Sequence, residues 1–207
     1  MAGRISQVRK DEKSLKELIL VTSPPACGKT FISKELAKHL KHVVYLDKDT
    51  LIVLSKQIFV VANEEYNRSS DFFEKYIRDY EYYAVVDLAL EALDYEDIVL
   101  INAPFTREIR DKKYIADLKA RLAEKGAVLK VIWVETDVEV CHRRMIDRNS
   151  DRDTWKLEHW DEYVAGLNFD IPEEINADND GTLMIFKNSS DEEFNESMDR
   201  ITKELLA

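Results

Sequence analysis

The chain has 207 residues, a length that suits one large domain or two small ones. With 45% hydrophobic and 10% aromatic residues it can bury a packed core, which excludes wholesale disorder. A net charge of −11 works against wrapping a nucleic acid, and no run approaches the ~20 apolar residues of a membrane span.

Two cysteines, Cys27 and Cys141, are too few for a disulfide framework or a zinc site, so a reducing cytoplasm is the expectation. The opening residues MAGRISQVRKDEKSLK hold no secretory apolar region, and residues 1–14 read as frayed. Glu17–Thr22 then predicts a short buried strand and Phe31–Leu40 a helix, with a second strand at Val43–Leu46. Thr50–Asn63 reads as helical and apolar. After a polar break at Asn67–Ser70, Asp71 and Glu74 stand three apart like a capping box, opening a long helix through Leu93. Ile98–Ile101 is the third predicted strand. Asp111 starts a helix with Ile115, Leu118 and Leu122 on one face, ended by Gly126. Val128–Val134 predicts a fourth strand, Val138–Arg148 a helix, and His159–Leu167 a short helix inside a charged stretch, 149–168. Leu183–Phe186 is the fifth strand, and Ser190 with Glu193 caps a last helix bearing Phe194, Met198, Ile201 and Leu205. Continuous apolar strands alternating with helices predict an α/β fold, a parallel sheet covered on both faces. No linker divides the chain, so 1–207 reads as a single domain.

The most specific signal is Ser23-Pro24-Pro25-Ala26-Cys27-Gly28-Lys29-Thr30, between the first strand and first helix. It matches G-x-x-x-x-G-K-[ST] except at Ser23. Such a loop curls backbone N–H groups around phosphate oxygens at a helix N-terminus. Gly28 allows close approach, Lys29 reaches the β- and γ-phosphates, and Thr30 ligates Mg²⁺. Pro25, Ala26, Cys27 and Phe31 complete the phosphate-facing stretch. A coincidental strand–helix turn is the bland alternative. In the functional reading Lys29 faces solvent until phosphates arrive, and Cys27, beside that lysine and a helix N-terminus, is open to modification.

The second strand runs into Asp47-Lys48-Asp49. Ligands of such sheets collect beyond the carboxyl ends of the strands. If the chain stays extended, both carboxylates point the same way. One can serve the Mg²⁺ shell and the other accept a hydroxyl proton; alternatively Asp49 only caps the next helix. Arg144, Arg148 and Arg152 recur every four residues, a guanidinium ladder suited to a transferring phosphoryl group or a plain solvated face, while Arg143 points elsewhere. Asn102, Phe105 and Arg107 follow the third strand beside the expected acceptor site, and Arg107 and Arg110 could receive an anion. Tyr76, Tyr80, Tyr82 and Tyr83 read as packing residues, and His142 and His159 as isolated surface residues.

Taken together, the loop, the Asp-x-Asp and the arginine lid resemble the P-loop small-molecule kinase superfamily, which includes shikimate and gluconate kinases and zeta-toxin-like ATP-binding proteins. Ala103-Pro104-Phe105 and Arg152-Asp153-Thr154-Trp155-Lys156-Leu157, with Trp160 and Tyr163, look most like the zeta-toxin-like branch. The resemblance implies a three-layer P-loop NTPase fold, sheet order 2-3-1-4-5, and a helical lid over 149–168. It implies ATP and Mg²⁺ as cofactors and phosphoryl transfer to a small-molecule hydroxyl, in a monomer or homodimer. Lys29, Asp49, Arg148 and Arg152 would be catalytic and Thr30 and Asp47 metal-side; Arg144 would face the nucleotide and Asn188 and Ser189 would border adenine. Ser23 and Asn102 depart from the common pattern, Asn102 replacing the acid of motor-type ATPases. The rival expectation is a nucleotide-binding switch or ATPase read by a protein partner.

Overall fold

Along Lys16–Thr22 (β1), Leu18 and Leu20 turn to one side of the sheet and Ile19 and Val21 to the other, and all four are fully buried. A strand buries both faces only where helices cover both. The computed structural model, which describes residues 15–149, 153–175 and 180–206, has that form. Beside β1 run Val43–Asp47 (β2), Ile98–Asn102 (β3), Ala127–Glu135 (β4) and Leu183–Lys187 (β5), all parallel, in the order β2-β3-β1-β4-β5.

The helices are Lys29–His39 (α1), Ile52–Ala62 (α2), Asp71–Phe73 (α3), Asp79–Ala92 (α4), Lys112–Glu124 (α5), Val138–Arg148 (α6), Thr154–Glu158 (α7), Trp160–Ala165 (α8) and Asp191–Leu205 (α9). One face of the sheet packs on Val85 and Ala89 of α4 and on Ile115, Leu118 and Leu122 of α5. The other packs on Ile32 and Leu36 of α1, Cys141 of α6, and Met198 and Ile201 of α9. The layering and strand order agree with expectation, and the strands differ from the predicted spans by one residue at an end or two. Among the described residues no helix is long and apolar enough to cross a membrane.

Three local readings need correction. The cap before α3 is Ser70, whose hydroxyl accepts from Phe73 N at 3.2 Å; Glu74 instead pairs with Arg107, so Asp71 and Glu74 form no capping box. From α3 the chain passes through a π-turn, Glu74–Arg78, into α4. The segment after β2 begins as a 3-10 turn, Lys48–Leu51, before α2. The charged stretch holds two short helices, α7 and α8, rather than one. Residues 1–14, read as frayed, lie outside the described residues, as does Arg152.

The parallel register brings the strand ends to one edge. Asn102 pairs with Val21 of β1 on one side and Asp47 of β2 on the other. The loop leaving β1 therefore starts directly above those two polar side chains.

Candidate functional site

From β1 the chain turns through Ser23–Gly28 into α1. Ser23 is fully buried and its hydroxyl donates to Pro24 O at 2.8 Å, so the residue replacing the first loop glycine folds into the loop itself. Gly28 has φ +94°, and a Cβ there would sit 2.6 Å from Asn188 Nδ2; backbone and space both call for glycine. Asn188 Nδ2 and Thr136 Oγ1 donate to Cys27 O at 2.7 and 3.1 Å, tying the loop to the ends of β5 and β4.

Lys29 differs from expectation. It is half-buried rather than solvent-facing, its Nζ folded back onto Pro24 O at 3.3 Å. Burial pushes its ammonium below the usual lysine range, partly opposed by Cys27 and Asp49. Cys27 is fully buried against Cys141, so it is a packed residue and not an open one.

Below the loop, Asn102 bridges two oxygens, its Nδ2 donating to Thr30 Oγ1 at 3.1 Å and to Asp47 Oδ2 at 3.0 Å. Tyr45 OH also donates to Asp47 Oδ2, and Asp49 N donates to Asp47 Oδ1 at 3.0 Å. Asp47, not Asp49, therefore caps the turn. The chain is not extended here, yet the turn leaves both carboxylates on the wall of one cavity of about 580 Å³. Asp49 stays 56% exposed, with Lys48 Nζ 3.8 Å away.

The opposite wall is cationic. Arg144 Nη2 donates to Asn188 O at 2.9 Å, while its Nη1 is buried without a hydrogen-bond partner. Arg148 Nε donates at 2.9 Å to Asp153 Oδ2, and Lys156 Nζ reaches Asp153 Oδ1 at 3.1 Å. Asp153 is fully buried and acts as a fork holding both cations at the cavity. Lys156 escaped sequence reasoning; the signal was its place one helical turn after Asp153. Arg143 is exposed and outside the lining, as expected.

Other candidates do not converge. Phe105 is fully buried, edge-on to Tyr82, and is core rather than substrate wall. Arg107 forms a two-pronged pair with exposed Glu74, and Arg110 binds Asp170 O and Glu174, so neither reaches the cavity. Asn188 and Ser189 lie behind the loop, Ser189 Oγ accepting from Asp137 N. Phe31 does line the cavity, 59% exposed, with its ring 5.4 Å from Phe194. Of the four tyrosines at 76–83, Tyr82 packs in the core and Tyr76, Tyr80 and Tyr83 are exposed. The histidines are not isolated: His142 stacks on Trp160 at 4.0 Å, joining α6 to α8, and His159 on Trp155.

A charged cluster that no spacing announced stands behind Asp49. Buried Glu81 accepts from Lys48 Nζ, Ser55 Oγ and both terminal nitrogens of Arg68. Burial alone would raise its carboxyl, but hydrogen bonds from Arg68, Lys48 and Ser55 bring it down to about 2.

The residues present fit a hard divalent cation beside an anion. Thr30 Oγ1, the Asp47 carboxylate and the buried, unpartnered Asn102 Oδ1 are all oxygens, the donors Mg²⁺ prefers. The orphaned Arg144 Nη1, with Lys29, Arg148 and Lys156, suits phosphate oxygens.

The AAA domain family matches residues 18–169. Among solved structures, a protein from Chloroflexus aurantiacus with a provisional kinase assignment is similar over 93% of this chain and 97% of its own, at TM-score 0.58 and 17% identity. Shikimate kinase from Bacteroides thetaiotaomicron is similar over 92% and 98%, at TM-score 0.53 and 14% identity. A gluconokinase from Sinorhizobium meliloti is similar over 93% and 97%, at TM-score 0.52 and 12% identity. At these identities the likeness shows the fold alone. No curated protein matches the sequence.

Proposed function

Because this chain belongs to the AAA domain family, we propose that it is an ATP-dependent phosphotransferase, a P-loop kinase that moves the γ-phosphoryl group to a hydroxyl of a small molecule. Asp49 carries the reading. It is a carboxylate on the cavity wall, released from capping by Asp47, and it faces the same space as the phosphate loop.

In this reading Gly28, Lys29 and the start of α1 receive the phosphates, and Lys29 swings off Pro24 O to do so. Thr30, Asp47 and Asn102 would hold Mg²⁺, which neutralises charge on the β- and γ-oxygens when bound. Asp49 orients the acceptor hydroxyl and takes its proton. Arg144, Arg148 and Lys156 face the charge spread over the transferring group, held in place by Asn188 O and Asp153. Arg152 is proposed to join them, and 1–207 to act as one domain with 149–168 as lid.

The test is a screen of hydroxyl-bearing metabolites for ADP formation by the purified protein. An acceptor-dependent rise that Asp49→Asn removes supports the kinase. The second reading, a nucleotide switch or ATPase acting through a protein partner, is favoured by the outer face of α2, where Val53, Leu54, Val60 and Val61 stand exposed. ADP formation equal with and without every acceptor would move that reading ahead.

A further inference from the structure

The chain has only two cysteines, 114 residues apart, and the fold brings them together. Cys27 Sγ lies 3.4 Å from Cys141 Sγ, both fully buried. Nothing in the phosphotransfer reading uses this pair. Its position is nonetheless central, since Cys27 belongs to the phosphate loop and Cys141 to α6. Arg144 and Arg148 follow Cys141 by three and seven residues, within two helical turns. The pair joins the phosphate loop to the helix that carries the cationic wall.

We propose that Cys27 and Cys141 form a reversible disulfide that clamps the phosphate loop to the arginine helix and lowers nucleotide affinity. The nearest feature to a bland account is two small side chains packed in an apolar layer, and three observations go beyond it. The separation is within about 1.4 Å of a disulfide bond. Cys27 itself is buried, but its loop neighbours Ala26 and Gly28 line the cavity, so an oxidant there reaches the thiol when the loop opens locally. The two thiols are also unlike. The hydrogen bond from Cys141 and the charge of Lys29 favour the Cys27 thiolate against burial, whereas Cys141 is held protonated by its neighbour and by burial. Ser23 and Thr136 face Cys27 as further hydrogen-bonding partners, and Arg144 faces Cys141.

Cys27, flanked by the cavity-lining Ala26 and Gly28, is the thiol nearer the cavity and takes the first step, with a hydroperoxide as oxidant. The Cys27 thiolate attacks the terminal oxygen; an S–O bond forms, the O–O bond breaks, and the leaving alkoxide, or hydroxide from hydrogen peroxide, departs as alcohol or water with the proton that the Cys27 thiol gave up on ionising. Cys141 sulfur then attacks the sulfenic sulfur of Cys27. The S–S bond forms, the S–O bond breaks, and the hydroxide departs as water with the Cys141 proton. Two thiols lose two electrons and one hydroperoxide gains them.

Closing the remaining gap draws Cys27 towards α6. Its carbonyl is held by Asn188 and Thr136, so the loop cannot follow as a rigid body, and the phosphate cradle distorts. We expect at least a tenfold loss of MgATP affinity, a magnitude in keeping with the cost of misplacing binding groups by about 1 Å.

The experiment treats the full chain with hydrogen peroxide, then denatures and alkylates it for intact-mass measurement. The expected product lacks two hydrogens, takes up no alkyl group, and regains both thiols with dithiothreitol. Cys141→Ser, with Cys141→Ala as a second variant should the first not fold, gives no such product. Two alkylated thiols after a treatment that fully oxidises the unfolded chain would overturn the linkage, as would Cys27 sulfinic acid with Cys141 still free. Calorimetry with MgATP on reduced, oxidised and re-reduced protein then reads the control of binding. Equal affinity in the oxidised and reduced forms would overturn that half of the proposal. The affinity arm rests on the phosphotransfer reading; absence of binding in the reduced protein would strike that reading, while the mass measurement decides the disulfide by itself.

Discussion

Asp47 and Asp49 sit two residues apart on one cavity wall, and single substitutions separate their roles. Asp49 makes no cap, so Asp49→Asn should leave the fold and nucleotide affinity intact while transfer to an acceptor falls about 10²–10⁴-fold. Asp47 accepts from Asp49 N, Asn102 Nδ2 and Tyr45 OH. Asp47→Asn can keep the cap through its amide oxygen, but its NH₂ then meets the Asn102 and Tyr45 donors, so it should cost stability, about 1 kcal/mol for each hydrogen bond lost, and also raise the Mg²⁺ requirement. A urea midpoint and a Mg²⁺ titration of each variant check both halves; a stability loss confined to Asp49→Asn would reverse the assignment. The pair was legible in the sequence because strand ends collect at the ligand edge. Which member caps was not, because the 3-10 turn starting at Lys48 leaves no mark in residue spacing. Phe105 and Arg107 misled for a related reason. Position just past β3 places them at the correct edge, but Phe105 turns inward onto Tyr82 and Arg107 outward to Glu74.

Between elements, the decisive contact is Glu81 of α4, which gathers Lys48 from the turn after β2, Ser55 from α2 and Arg68 from the break before α3. This cluster fixes the turn that presents Asp49. Its carboxyl lies at about 2 in the folded chain against an ordinary 4.5. A depressed acid contributes stability that is fully present above the unfolded value and is lost as pH falls through the folded one. The window is thus pH 4.5 down to about 2, and the contribution is on the order of 3 kcal/mol. Glu81→Ala leaves Lys48 and Arg68 buried or half-buried without their shared partner, which should cost about 3–5 kcal/mol near neutrality. It should also flatten the dependence of stability on pH below 4.5, measured as urea midpoints at several pH values. A midpoint as pH-dependent in the variant as in the parent would assign the acid sensitivity elsewhere. Separations of 33, 26 and 13 residues put this cluster beyond pattern reading, whereas Ser190, whose hydroxyl accepts from Glu193 N three residues on, was visible as a cap. Local hydrogen bonds leave a sequence signature; tertiary ones between buried charges do not.

At the scale of the whole molecule, the layered sheet was legible because β1 and β3 are apolar at successive positions, which only a doubly covered sheet requires. The same layers explain how binding at one edge should be felt throughout. The loop is tied to β4 and β5 through Thr136 and Asn188, the cations reach it from α6 and α7, and Asp47 and Asn102 end β2 and β3. A nucleotide bridging these parts binds the folded chain and not the unfolded one. At about a hundredfold excess over its Kd it should add roughly 2.7 kcal/mol of stability. For a chain of this size that corresponds to a rise of about 5–10 °C in Tm. Lys29→Ala should remove most of that rise while leaving the Tm of the free protein almost unchanged, because the Lys29 side chain hydrogen-bonds within its own loop, to Pro24 O, and does not tie one element to another. Thermal melts of both proteins with ATP, MgATP and Mg²⁺ alone separate the contributions. A MgATP shift larger than that of ATP supports the oxygen set at Thr30, Asp47 and Asn102 as the metal side. An equal shift in Lys29→Ala would detach the loop lysine from the phosphates, and no shift in the parent would remove the nucleotide from the cavity altogether.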